Sequence, residues 1–156
     1  MKTQPVDIEG VLVRLDEMEG LEKSALAGDA KALSAEQLVL AELVLETWVL
    51  AHEGEPTRER KEGFRLLALH RQGAKGIPSF NACRETCREI VFQHNVVAAS
   101  EQQGEQERAL RLMTMVVRHL ALFVSGKLQV AGLGDFCCAS RPLRQPDTNL
   151  SVPQNL

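Results

Sequence analysis

The stretch "LVLAELVLETWVLA", residues 38–51, leaves a folded chain few options. Leu38, Val39, Leu40, Leu43, Val44, Leu45, Trp48, Val49 and Leu50 fall on most sides of a helix, and only a stripe through Glu42, Glu46 and Glu53 must reach water. Such a helix needs neighbours on nearly every side, which means a bundle with this segment near its centre. The scarcity of aromatics, five Phe and one Trp with no Tyr, also favours helix over strand. A chain of 156 residues fits one domain, and that size buries roughly 70% of the unfolded-chain surface.

Periodicity and local signals divide the rest. Ile8, Val11, Leu15 and Met18, at spacings of three and four, predict a first helix over 6–27, with a stop at Gly28-Asp29. "SAEQ" (34–37) reads as a capping box that opens the second helix. In that motif the Ser34 hydroxyl accepts from the Gln37 backbone N–H while the Gln37 side chain reaches back. "GEPT" (54–57) ends it, and a third helix is expected over 58–72, charged in "RERKE" and apolar in "FRLLAL". "GAKGIPS" (73–79) reads as a loop, its glycines relieving backbone constraint and Pro78 disfavouring helix at Ile77.

A fourth helix covers 80–99 and a fifth 105–126. Between them "SEQQ" (100–103) reads as a capping box and Gly104 as a stop, so two helices or one bent helix both fit. The expected fold is thus a single all-α bundle of four or five helices over 1–128, with helices two and five as its apolar heart. Residues 129–156 form an irregular C-terminal extension, flexible from 141, where three prolines interrupt an aperiodic sequence.

The N-terminus lacks the charged start and apolar stretch of a signal peptide, and no run reaches the eighteen apolar residues of a membrane span. The expectation is a cytoplasmic chain with no membrane contact and with reduced thiols. Charge is uneven within the net -3. Residues 1–56 hold four Lys or Arg against twelve Asp or Glu, a balance of −8, whereas 57–88 hold eight against three, a balance of +5. The middle of the chain is a basic island, which bears on partners rather than on fold.

"FNACRETCREIVFQHN" (80–95) gathers Cys83, Cys87 and His94. The three cannot hold one ion, because seven residues of helix separate Cys87 from His94 by about 10.5 Å along the axis. Phe80, Cys83, Cys87, Ile90, His94 and Val97 instead follow the spacing of a packing seam, in which free Cys acts as a small hydrophobe. His94 on that seam requires a hydrogen-bond partner. His52, His70 and His119 fall on three different helices without the Glu-x-x-His pairs of di-iron bundles. No metal, cofactor or catalytic residue is assigned.

Three functions fit these features. The first is a non-catalytic regulatory or adaptor protein working through a protein partner or as a homodimer. The second is a helix-turn-helix-like DNA-binding regulator, since 57–88 reads as helix, glycine-containing loop, helix. Its surface, shared with the first reading, is Arg58, Arg60, Lys61, Arg65, Asn81, Arg84 and Arg88. The third is a thiol- or metal-responsive sensor using Cys83 and Cys87, joined by the adjacent thiols Cys137 and Cys138.

Overall fold

Six α-helices and one 3-10 helix make up residues 8–132, the part of the chain that the computed structural model describes. In chain order they are α1 (Ile8–Glu19), α2 (Lys23–Gly28), α3 (Ala30–Ala51), α4 (Arg65–Ala74), the 3-10 helix Pro78–Cys83, α5 (Arg84–Ala99) and α6 (Gln103–Val130). There is no strand among these residues.

α6 is the helix that α1, α2, α3 and α5 all pack against, and α3 is the second hub, touching α1, α2, α4, α5 and α6. The two segments expected to form the apolar heart therefore do so. Their facing residues Val44, Leu45, Leu110, Met113, Val117 and Leu120 are fully buried. On length and composition alone α6 could cross a membrane, although it has no uninterrupted apolar run. The core helix of a bundle meets the same test, and here four helices cover it.

Several boundaries depart from the sequence expectation, each for a local reason. The first helix is broken at Gly20–Glu22, which lets α2 turn and set Leu26 into the core. α3 begins at Ala30, so Ser34 is an interior, buried residue and not a cap. Its hydroxyl lies 2.6 Å from His94 Nδ1, supplying the partner that the seam histidine needed. Gln37 likewise turns inward, donating to Thr114 Oγ1 at 2.6 Å and Met18 Sδ at 3.3 Å. The polar pair of an apparent capping box thus ties α3 to α5, α6 and α1.

Residues 54–60 are not helical, contrary to the helix expected from 58. Side chains of α4 take over the hydrogen bonding of this loop. Gln72 accepts from Thr57 N–H and donates to the Glu55 carbonyl, both at 2.8 Å, and Arg65 Nε donates to the Thr57 carbonyl at 2.8 Å. A tight turn follows, with Lys61 and Phe64 exchanging backbone hydrogen bonds at 3.0 Å across Glu62 (φ 55°) and Gly63 (φ 87°). Two consecutive positive φ values are the mark of a type I′ turn.

Gly73 sits inside α4 and needs no unusual φ. It is glycine because the Trp48 ring lies against it. An added Cβ would come within 2.8 Å of Trp48 Cδ1, and the indole N–H donates to the Gly73 carbonyl at 3.0 Å. Trp48 in turn stacks on Phe80, with ring centroids 4.3 Å apart. Of the loop expected over 73–79, only Lys75, Gly76 and Ile77 remain outside a helix, and Gly76 does hold a positive φ of 76°.

α5 and α6 are two helices, not one bent one. Ser100 ends α5, its hydroxyl accepting from Gln102 N–H and donating to Glu105, and Gly104 lies in the first turn of α6. α6 then runs to Val130, two residues into the segment read as irregular. Residues 133–156, with Cys137, Cys138 and the tail from 141, lie outside the described residues.

Acidic α1 is balanced within the chain, but not by the basic island. Asp16 and Glu19 pair with Arg118 of α6 at 2.6 and 3.1 Å, and Arg14 of α1 reaches Glu36 of α3 at 2.6 Å. The Arg14 guanidinium holds the Glu36 carboxyl below the usual carboxylate range.

Candidate functional site: a cationic cleft and an apolar stripe on the central helix

The basic island divides into neutralised and unneutralised residues. Arg65 is half-buried between Glu42 and Glu46 of α3, so it is a structural tie and not a contact residue. Even with Arg65 beside it, burial holds the Glu42 carboxyl above its ordinary range. Arg88 pairs with Glu62 at 2.9 Å, fixing the type I′ turn to α5. It shares a hollow of about 490 Å³ with Glu62, Glu85 and Glu89, over a floor that includes Phe64 and Phe92. Arg88 is therefore ringed by carboxylates, an unfavourable setting for a nucleic-acid contact. Arg58 and Arg60 stand exposed on the loop, Arg60 donating to the Gly63 carbonyl.

Lys61, Asn81 and Arg84 come together. With His70, Arg71 and Lys75 they line a cleft of about 620 Å³ between the 55–64 loop, α4 and the start of α5. Arg71 and Arg84 have only exposed carboxylate neighbours, Glu59 at 3.8 Å and Glu85 at 2.9 Å. Among the described residues no carboxylate lies within ion-pair distance of Lys61 or Lys75. Four of the island's eight basic residues, Lys61, Arg71, Lys75 and Arg84, thus line one concave place. Arg71 and Lys75 were not singled out by the stripe Asn81, Arg84, Arg88, because they come from the preceding helix and its C-terminal turn. Their i, i+4 spacing was the signal available.

Behind the cleft, the seam residues Phe80, Cys83, Cys87, Ile90 and Val97 are buried, as their spacing required, and His94 is half-buried. The Phe80 carbonyl accepts from both His70 Nε2 (3.2 Å) and the Cys83 thiol (3.3 Å). Hydrogen bonding with Cys87 draws the Cys83 thiol down to about 6 against the opposing effect of burial, and His70 adds to the shift. The same hydrogen bond and burial push Cys87 up. This is the electrostatic profile of a reactive thiol, yet Cys83 is 1% exposed and a substrate in the cleft meets His70 first. Among the described residues there is no group of three or more His, Cys, Asp or Glu arranged to hold a metal.

A second feature was not foreseen. From Gly104 onward the exposed residues of α6 are Glu105, Arg108, Leu112, Met115, His119, Leu122, Gly126 and Val130. Gly104 and all of these except Glu105 lie within an arc of about 80° at 3.6 residues per turn and span about 39 Å. The outward stripe of a bundle helix is ordinarily charged. This one carries a single formal charge, while Leu112, Met115, Leu122 and Val130 are 41%, 60%, 54% and 91% exposed.

Comparisons with protein-family models, with curated proteins and with solved structures return no match.

Proposed function

We propose that the protein is a non-catalytic interaction module that associates with a second copy of itself along α6. The observation that carries this reading is the outward stripe of the helix at the centre of the fold, which carries one formal charge, Arg108, among exposed apolar residues. An antiparallel pairing centred on Val117 sets Leu112 against Leu122 and Met115 against His119, and sets the one charged side chain, Arg108, against Gly126. Such a contact buries leucine on leucine and keeps the two copies of Arg108 apart, as an isologous interface requires. Its area is modest. A strip of about 39 Å by a helix width of about 10 Å covers roughly 400 Å² per partner, about half that of a stable specific interface and in the range of weak, transient ones. The dimer is accordingly a concentration-dependent one, suited to a regulated assembly.

Light scattering after size exclusion, recorded through the micromolar range, tests it. The expected result is a rise towards twice the monomer mass, abolished by Leu122→Glu. A full-length chain that stays monomeric at every concentration overturns the proposal. So does a chain that becomes dimeric only when residues 133–156 are removed, which would mean that its own C-terminal segment covers the stripe.

A further inference from the structure

We propose that the cationic cleft is a binding site for a small phosphorylated ligand carrying a pyrophosphate or two phosphate groups. The inference is independent of self-association, because the cleft is built from the 55–64 loop, α4 and the start of α5, and takes nothing from α6.

Size is the first argument. At about 620 Å³ the cleft falls in the range of pockets that hold compact organic ligands. It is a concavity, with Ala68 and Ala74 in its wall, and not an extended ridge. Charge is the second argument. Lys61, Arg71, Lys75 and Arg84 line the cleft with one carboxylate, Glu59, whose contact with Arg71 is long and exposed, and Arg84 also meets the exposed carboxylate of Glu85 at 2.9 Å outside the lining. Two guanidinium forks and two ammonium groups match the many oxygens of a polyphosphate better than they match a single carboxylate. The third argument is what the rest of the island does. Arg65 and Arg88 are held by Glu42, Glu46 and Glu62, and of the six basic residues of the island that remain, four line this cleft while Arg58 and Arg60 stand on the loop outside it. Asn81 on the rim adds an amide that donates to an oxygen, and buried His70 adds an imidazole at the wall.

Glu62, Glu85 and Glu89 flank the neighbouring hollow, so a long polyanion laid across the surface meets repulsion on either side of Arg88. A compact anion inside the cleft does not.

Isothermal titration of the full-length chain with inorganic pyrophosphate tests the site. Citrate serves as a compact polycarboxylate, and a short DNA duplex is titrated at the same ionic strength. Saturable binding of pyrophosphate, tighter than that of citrate or DNA, is expected. Lys75→Gln with Arg84→Gln should weaken it about tenfold or more, since the loss of even one charge-assisted contact is worth about that factor. Both residues are exposed, and circular dichroism checks that the double variant is folded. Arg58→Gln, on the loop outside the cleft, should leave the affinity within about twofold, as a surface charge away from the ligand does. The proposal fails if pyrophosphate shows no saturable binding. It fails equally if the double variant binds as well as the parent, or if citrate or duplex DNA binds more tightly than pyrophosphate.

Discussion

Replacing Gly73 by alanine sets two effects of known size against each other. Within a helix alanine is favoured over glycine by about 0.8–1.0 kcal/mol, and Gly73 has an ordinary helical conformation. Propensity alone therefore forecasts a stabilised protein. The new Cβ, however, would stand 2.8 Å from Trp48 Cδ1 and 3.0 Å from Phe80 Cε2. The indole cannot simply slide away. It is stacked on Phe80 at 12° between planes, it is buried, and its N–H is anchored on the carbonyl of Gly73 itself. Overpacking of this kind costs about 1–3 kcal/mol, and stretching the hydrogen bond adds a share of its net 0.5–1.5 kcal/mol.

The clash wins, and Gly73→Ala should destabilise the domain by about 1–2 kcal/mol, a fall of about 2–8 °C in Tm for a chain of this size. Gly126→Ala is the control. It lies on the outward stripe of α6 with nothing within 4 Å of the added carbon, so it should gain up to about 1 kcal/mol. Urea unfolding followed by far-UV circular dichroism reads both values. Trp48 is the chain's single tryptophan, so its fluorescence reports displacement of the ring directly. A Gly73→Ala protein as stable as its parent, with unchanged emission, would refute the packing argument.

Other perturbations probe the remaining ties. Arg65→Met strands Glu42 and Glu46 half-buried and should cost about 1–3 kcal/mol, between the values for surface and buried pairs. Burial already raises the Glu42 carboxyl, so the deficit should shrink as pH falls and that group protonates, and a pH-independent deficit would contradict this. His94 is held below its ordinary value by burial, so the unfolded chain takes up the proton first. Stability should therefore fall as pH drops below about 6.5, and His94→Gln should flatten that slope in a pH series of melts. Gln37→Met removes an amide whose Oε1 finds no partner among the described residues. It should leave stability unchanged or raise it by about 1 kcal/mol, and a loss of that size would argue for an ordered water at the site. Cys83 and Cys87 should resist a small alkylating agent at neutral pH until the protein unfolds, because both are buried and the Cys87 thiol is in addition held up in its protonated form. Rapid native labelling, read by mass spectrometry, would revive the thiol-sensor reading.

What was legible in the sequence is what depends on helical periodicity alone. The seam from Phe80 to Val97 and the residues Val44, Leu45, Trp48 and Val49 announce buried faces, because i, i+3 and i+4 neighbours are fixed by the helix itself, whereas Val39, expected to be covered like its neighbours, is 52% exposed. What could not be read depends on partners distant in sequence. Ser34 looks like a cap until His94, sixty residues on, is seen to take its hydroxyl. "RERKE" has the composition of a solvated helix, but Gln72 and Arg65 satisfy the loop's backbone in its place. Gly73 resembles a loop residue because the indole that forbids a side chain there comes from α3. The cleft was half visible. Charge counting located the island, yet only the fold distinguishes Arg65 and Arg88, which are tied to carboxylates of other elements, from Lys61 and Lys75, which have none within ion-pair distance among the described residues, and Arg84, whose one partner is its exposed neighbour Glu85.

The placement of α6 has a consequence for how the chain comes into being. Synthesis runs from α1 to α6, so the helix on which α1, α2, α3 and α5 all rest leaves the ribosome after all of them. Until then Val11, Leu15 and Met18 lack their main cover, and the Asp16–Arg118 pair must close across 102 residues. A nascent chain stopped before Gln103 presents adhesive surface without a core, which is the condition that attracts chaperones. Protease digestion of a series of stalled chains should show resistance arriving in one step, once residues up to about Val130 are free, and not helix by helix.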